Sequence, residues 1–239
     1  MNDQTILVVD DELEIAELIG LYLRREGYDV YHAASGDEAL RLARELEPQL
    51  IVLDIQLGEI SGIEVCEQLR RESGVPILFV SCRSDDTDII HGLSVGGDDY
   101  ITKPFSPRQL VARVQAHLRR VQLLAGDAAG GGPAGRMLRS GELEIDPEGH
   151  TVTVGGRPVS LSAKEFDLLV HLARHPGKAF PLDRLYRLIW GTDSIGDTRT
   201  LMVHISNLRK KIEADPANPA HIVTVRGVGY KFISQEGTS

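Results

Sequence analysis

The chain has 239 residues, enough for one large domain or two ordinary ones, and no apolar run approaches the roughly 20 residues of a membrane span. Its 42% hydrophobic and 26% charged composition reads as a soluble globular protein, and its start, MNDQTILVVDDE, lacks the basic leader and cleavable apolar core of a secretion signal. The net charge of −9 is unevenly spread: residues 1–120 hold 12 Lys/Arg against 22 Asp/Glu, the remainder 14 against 13, and Asp197–Lys231 6 against 3. An acidic first half and a locally basic end point to two domains with different partners. Cys66 and Cys82 are the only cysteines. Both read as reduced, small buried side chains, and the expected location is cytoplasmic.

The first half alternates short apolar runs with amphipathic stretches. TILVVD (5–10), DVYHA (29–33), LIVLD (50–54), PILFVS (76–81) and DYITK (99–103) read as strands. Helical spacing lies between them, as where Ile15, Leu18, Ile19, Tyr22 and Leu23 repeat. Nearly all-apolar strands in five βα units predict an α/β fold: a five-stranded parallel sheet covered by helices on both faces. Ligands of such sheets gather beyond the carboxyl ends of the strands. AGDAAGGGPAG (125–135) disfavours helix and sheet and reads as a flexible linker. After it, LEID, TVTV and RPVSL, separated by PEGH and GG turns, predict a small antiparallel sheet. Helical segments follow near 162–174, 181–190 and 198–213, and HIVTVRGVGYKF reads as a hairpin turned at Gly227-Val228-Gly229. Sheet, three helices and closing hairpin predict a winged helix-turn-helix domain.

Asp54 ends the apolar run Leu50-Ile51-Val52-Leu53, an unusual place for a lone carboxylate. Taken alone, it reads as a strand end meeting solvent. The other strand ends change that reading: Asp10-Asp11 after the first, Ser81 on the fourth, Lys103-Pro104 after the fifth. Adjacent strands lie about 4.8 Å apart, so these residues can converge on one pocket. Clustered carboxylates need a cation, and an oxygen-rich set suits Mg²⁺. Lys103 adds a fixed positive charge and Ser81 a hydroxyl. These parts fit phosphoryl transfer to a carboxylate, with Asp54 attacking in line. Each alone is ordinary, as a helix cap, a turn residue or a surface charge. Their coincidence at successive strand ends favours the site.

VVDDE (8–12), LIVLD (50–54), Ser81 and DDYITKPF (98–105) resemble the receiver domains of two-component response regulators, over nearly all of residues 4–121. The resemblance implies that Asp54 accepts phosphate from a sensor histidine kinase. It implies Mg²⁺ bound by Asp10, Asp11, Asp54 and the backbone carbonyl of Gln56. Lys103 would pair with the acyl phosphate, and Ser81 with Tyr100 would form the switch. The chain would catalyse its own phosphoryl transfer and slow autodephosphorylation without being an enzyme otherwise. Gly58 stands where proline is usual, which loosens the loop after Asp54. Cys82 stands where a small residue such as alanine is usual, so its alkylation would crowd the site. Gln56 and Arg83 are candidates to tune phosphoryl lifetime.

On a helical wheel of Asp197–Glu213, Leu201, Ile205, Leu208 and Ile212 form one apolar stripe. Arg199, Val203, Ser206, Asn207 and Lys210 lie opposite, with His204 and Arg209 on the flanks. A basic, hydrogen-bonding third helix suits the major groove, and a wing carrying Arg226, Tyr230 and Lys231 suits phosphates or a minor groove. LSAKEFDLLVHLARHPG (161–177), LIWG (188–191), RTLMVHISNLRKKI (199–212) and IVTVRGVGYKF (222–232) resemble the output domain of OmpR/PhoB-type regulators over about 137–233. By that likeness Arg199, His204, Ser206, Asn207 and Arg209 face double-stranded DNA, with Thr224, Arg226 and Tyr230 in the wing. Trp190 is expected in the core, and Met202 stands where aspartate is usual. Ser206 and Asn207 occupy positions often basic in relatives, which predicts a shallower salt slope.

The family likeness further implies a phosphorylation-favoured homodimer through the fourth helix, fifth strand and fifth helix, with Asp99 and Arg113 as an intersubunit ion pair. Ile89 and Gln109 replace another charged link, which weakens that expectation. Output domains would sit head-to-tail on direct repeats, with RNA polymerase a candidate further partner. The expected organisation is a receiver at 1–121, a linker at 122–136 and a winged-helix domain at 137–235. The expected function is a phosphorylation-dependent transcription regulator. An alternative is a DNA binder whose receiver is only a dimerisation scaffold, against which the complete acidic cluster argues. A nucleotide- or flavin-binding domain would want a glycine- or hydroxyl-rich first turn, and VVDDELEIA is acidic instead.

Overall fold

The computed structural model describes residues 4–82, 85–126, 137–191 and 198–235. The chain divides into two compact units, Met1–Leu118 and Arg119–Ser239. In the first, β1 (Thr5–Val9), β2 (Asp29–Ala33), β3 (Leu50–Asp54), β4 (Ile77–Ser81) and β5 (Asp99–Thr102) alternate with α1 (Leu13–Arg25), α2 (Gly36–Leu46), α3 (Gly62–Glu72), α4 (Asp86–Ser94) and α5 (Pro107–Gly126), the last of which runs on past Leu118. The sheet is parallel throughout, in the doubly wound order β2-β1-β3-β4-β5. β3 and β4 are buried along their whole length, which is why LIVLD and ILFVS show no polar alternation.

The connection from β3 to α3 is held unusually close. Ser61 caps α3 by a reciprocal box with Glu64: the Glu64 N–H donates to Ser61 Oγ and the Ser61 N–H to Glu64 Oε2. A Cβ added to the next residue, Gly62, would collide with the backbone carbonyl oxygen of Asp54. Only glycine lets the helix start there. α5 continues to Gly126, so the linker expected from 122 begins inside a helix. The rest of it, 127–136, lies outside the described residues.

The second unit opens with an antiparallel sheet, β6 (Leu138–Ser140), β7 (Leu143–Asp146), β8 (Thr151–Val154) and β9 (Arg157–Pro158), in that order. There follow α6 (Ala163–Ala173), β10 (Ala179–Pro181), α7 (Leu182–Trp190), α8 (Thr198–Ile212), β11 (Ile222–Val225) and β12 (Gly229–Phe232). β10 was not expected from the sequence. It is three residues long and exists through pairing with β12, giving the order β10-β12-β11. Its Phe180 is buried in a core with Trp190, Leu201, Ile205 and Leu208. The strands of the first sheet also meet the end of the unit. The Gln235 N–H donates to Ser140 Oγ at 2.8 Å, and the Gly141 N–H donates to the Gln235 carbonyl at 3.1 Å.

Candidate functional site

The parallel register carries the strand ends of the first unit to one place. Asp54 pairs with Val80, Ser81 pairs with Thr102, and the Lys103 N–H donates to the Ser81 carbonyl at 2.8 Å. Lys103 follows β5 through a cis peptide bond to Pro104. Its ammonium donates to Asp54 Oδ2 at 2.7 Å, Asp10 Oδ2 at 2.9 Å and Glu12 Oε1 at 3.3 Å. Asp10, Asp54 and the lysine side chain are almost fully buried, while Glu12 is exposed.

One ammonium shared among three carboxylates leaves the group net negative. Burial pushes the Asp10 carboxyl above its ordinary range, and the partial share of Lys103 does not offset it. Burial works against the charge on Lys103, but bonds to Asp54 and Asp10 outweigh it and hold the ammonium well above the usual lysine range. Carboxylate oxygens of Asp10, Glu12 and Asp54 lie within 4.8 Å of one another. This all-oxygen, net-negative set suits a hard divalent cation.

The structure therefore brings together Asp10, Asp54 and Lys103, with Ser81 buried on the adjoining strand. Asp11 is exposed and outside the converging trio, which includes Glu12 instead. The signal for Glu12 was the VVDDE run: β1 stops at Val9, so the alternation of strand side chains no longer decides which acid faces in. The Gln56 N–H donates to Asp54 Oδ1 at 3.0 Å, fixing the acceptor's rotamer. Tyr100 is buried, its ring tilted against Phe79 at 6.2 Å. Gly58 has φ of 75°, a backbone that proline cannot adopt. Arg83 lies outside the described residues.

Cys82 is exposed, not buried as expected, because β4 ends at Ser81. Cys66 is buried, and burial pushes its thiol up to about 12. Iodoacetamide at pH 8 will therefore label Cys82 and spare Cys66 in the folded protein, as read by peptide mass mapping. Equal labelling of both would contradict the burial difference.

Asp99 and Arg113 form a pair inside one chain: Arg113 Nη1 donates to both carboxylate oxygens of Asp99 at 2.6 Å. His117 Nε2 lies 3.6 Å away, and all three side chains are buried. Within the single chain, a carboxylate this deep takes its cation from its own α5.

In the second unit, α8 shows one open face. Arg199, Ser206 and Lys210 are exposed and Val203 is half-buried. His204 is 0% exposed and Asn207 is buried, so neither faces outward as expected. The reason is angular: at about 100° per residue, His204 lies roughly 140° round from Arg199. It meets Trp190 at 5.3 Å, and Trp190 stacks flat on Tyr186 at 4.9 Å. Lys164, also buried, donates to the Ile189 carbonyl at 2.8 Å and lies over the Trp190 ring. His204→Ala will accordingly lower stability by about 1–3 kcal/mol in thermal melts, while Ser206→Ala will leave it within about 0.5 kcal/mol. Arg209 turns back to the wing, donating to the Ile222 carbonyl and Thr224 Oγ1 and lying over the Tyr230 ring. Tyr230 is buried, which corrects its reading as a wing contact, whereas Thr224 and Arg226 are exposed.

Residues 6–115 match the family described as response regulator receiver domain, and residues 156–232 the family described as transcriptional regulatory protein, C terminal. The DNA-binding response regulator MtrA of Mycolicibacterium smegmatis is 47% identical over 228 residues, 95% of this chain and 96% of that one. The chain belongs to the DNA-binding response regulators. The sensory transduction protein RegX3 of the same organism is 43% identical over 95% of this chain and 98% of its own. Among solved structures, a RitR mutant matches with a TM-score of 0.80 at 28% identity, covering 97% of this chain and 99% of that one. DrrB of Thermotoga maritima, an OmpR/PhoB homolog, matches with a TM-score of 0.51 at 32% identity, over 97% and 100%. As a member of this family, the chain is a phosphorylation-dependent transcription regulator with a receiver and a DNA-binding domain. No described helix is long and apolar enough to cross a membrane.

Proposed function

We propose that Asp54 is the phosphoacceptor, receiving its phosphoryl group from a sensor histidine kinase in the cytoplasm. The observation that carries this reading is the convergence of the Lys103 ammonium on the buried carboxylates of Asp54 and Asp10. Mg²⁺ would be held by Asp10 and Asp54 with the exposed Asp11 and the Gln56 carbonyl, and Glu12 is a further carboxylate within reach. When bound it supplies charge neutralisation on the transferring group. The chain's own residues do the rest. Gln56 orients the Asp54 carboxylate through its N–H, and Lys103 places a fixed positive charge beside the attacking oxygen. Ser81 offers a hydroxyl on the neighbouring strand, and Tyr100 is the aromatic partner of the switch.

Domain boundaries at 1–121 and 137–235 serve the same reading, as do an α4-β5-α5 homodimer on direct repeats and RNA polymerase as a further partner. DNA is met by the exposed residues Arg199, Ser206 and Lys210 and the half-buried Val203 of α8, with Thr224 and Arg226 of the wing. The test is intact mass after incubation with acetyl phosphate, with and without Mg²⁺, for wild type and Asp54→Asn. A single phosphoryl adduct that requires both Mg²⁺ and Asp54 is expected. An adduct of equal yield on Asp54→Asn would overturn the assignment.

A further inference from the structure

On α8, Leu201, Ile205, Leu208 and Ile212 are packed in the core, but Met202 is 50% exposed. It stands three residues after Arg199 and four before Ser206, so it shares their open face. That places an uncovered apolar side chain among a guanidinium, a hydroxyl and the Lys210 ammonium. In the major groove only thymine presents an apolar group, its C5-methyl; the other base edges offer hydrogen-bond donors and acceptors. An unbranched thioether adapts its shape to such a surface. We propose that Met202 is a specificity-determining residue that packs on a thymine C5-methyl. A carboxylate at this position would instead accept from the cytosine N4 amino group, so an aspartate here would favour cytosine where Met202 favours thymine. The inference rests on α8 lying in the major groove.

The test uses the full chain. Wild type first selects duplexes from a random library, and each thymine of the enriched duplex is then replaced singly by deoxyuridine, which lacks only the methyl. Affinities are read by fluorescence anisotropy for wild type, Met202→Ala and Met202→Leu, with thermal midpoints alongside. At one thymine per bound copy, deoxyuridine is expected to weaken wild type about four-fold, the value of one buried methyl-sized group. Met202→Leu keeps that sensitivity and Met202→Ala loses it, all three melting alike. Selection with Met202→Asp returns cytosine at the same position. Deoxyuridine effects that are absent from wild type, or undiminished in Met202→Ala, would overturn the proposal. So would a Met202→Ala variant that binds every duplex as wild type does but loses self-association, which would assign the residue to a protein interface. A library that yields no enriched motif would remove the groove-binding reading itself.

Discussion

Lys103→Met will destabilise the first unit by about 3–5 kcal/mol at neutral pH in metal-free buffer, the cost of leaving buried charges without their partner. Methionine keeps much of the stem's volume, so the loss is one of charge. In the wild type the Lys103 ammonium is held above the usual lysine range, so its contribution is complete below about pH 10 and is lost only as pH rises through the folded value. The variant behaves in the opposite sense. Its Asp10 carboxyl, already raised by burial and now without the lysine, binds a proton more readily folded than unfolded, so its stability recovers as pH falls from neutrality towards about 4. Mg²⁺ restores more stability to the variant than it adds to the wild type. Urea unfolding followed by far-UV circular dichroism measures all three effects. The single tryptophan, Trp190, is buried in the second unit, so its fluorescence follows that unit. Identical unfolding midpoints for variant and wild type would sink the argument.

Arg113→Met carries an expected loss of similar size, about 3–5 kcal/mol, in dilute unphosphorylated protein. Burial opposes the charge on Asp99, but Arg113 and then His117 outweigh it and hold the carboxyl well below the ordinary range. Its contribution is therefore complete above about pH 4 and is lost as pH falls through the folded value. Asp99→Asn removes this acid-sensitive component, and the double variant loses less than the sum of the singles because the two groups are coupled. A pair used only between subunits gives a different result: Arg113→Met then unfolds with wild type when monomeric. Chemical denaturation at several protein concentrations separates the two.

The fold was largely legible in the sequence. Strands buried on both faces write themselves as unbroken apolar runs: LIVLD matches β3 to the residue, and PILFVS overshoots β4 only by its leading proline. In a parallel sheet all carboxyl ends lie on one side, which is why Asp10, Asp54 and Lys103 could be grouped before any coordinates. β10 was hidden because AFP has no alternation, and its pairing partner lies some fifty residues on. Which acid of VVDDE turns inward was hidden by the change from strand to helix period at Val9. The inward turn of Arg209 depends on a carbonyl thirteen residues away and has no local signature. His204 differs from these: its angle on the wheel was available, and the family likeness drew it to the wrong face.

The clasp of Ser140 and Gly141 on Gln235 has a mechanical consequence. Within the second unit the stretch from Leu138 to Gln235 begins and ends close together, so its backbone runs as a nearly closed ring. Joining Gln235 to Leu138 through a short glycine bridge, and opening the chain at the exposed turn near Gly156, asks no strand to change neighbours. Force applied across the two ends would peel this pair of hydrogen bonds one after the other before it reached the core.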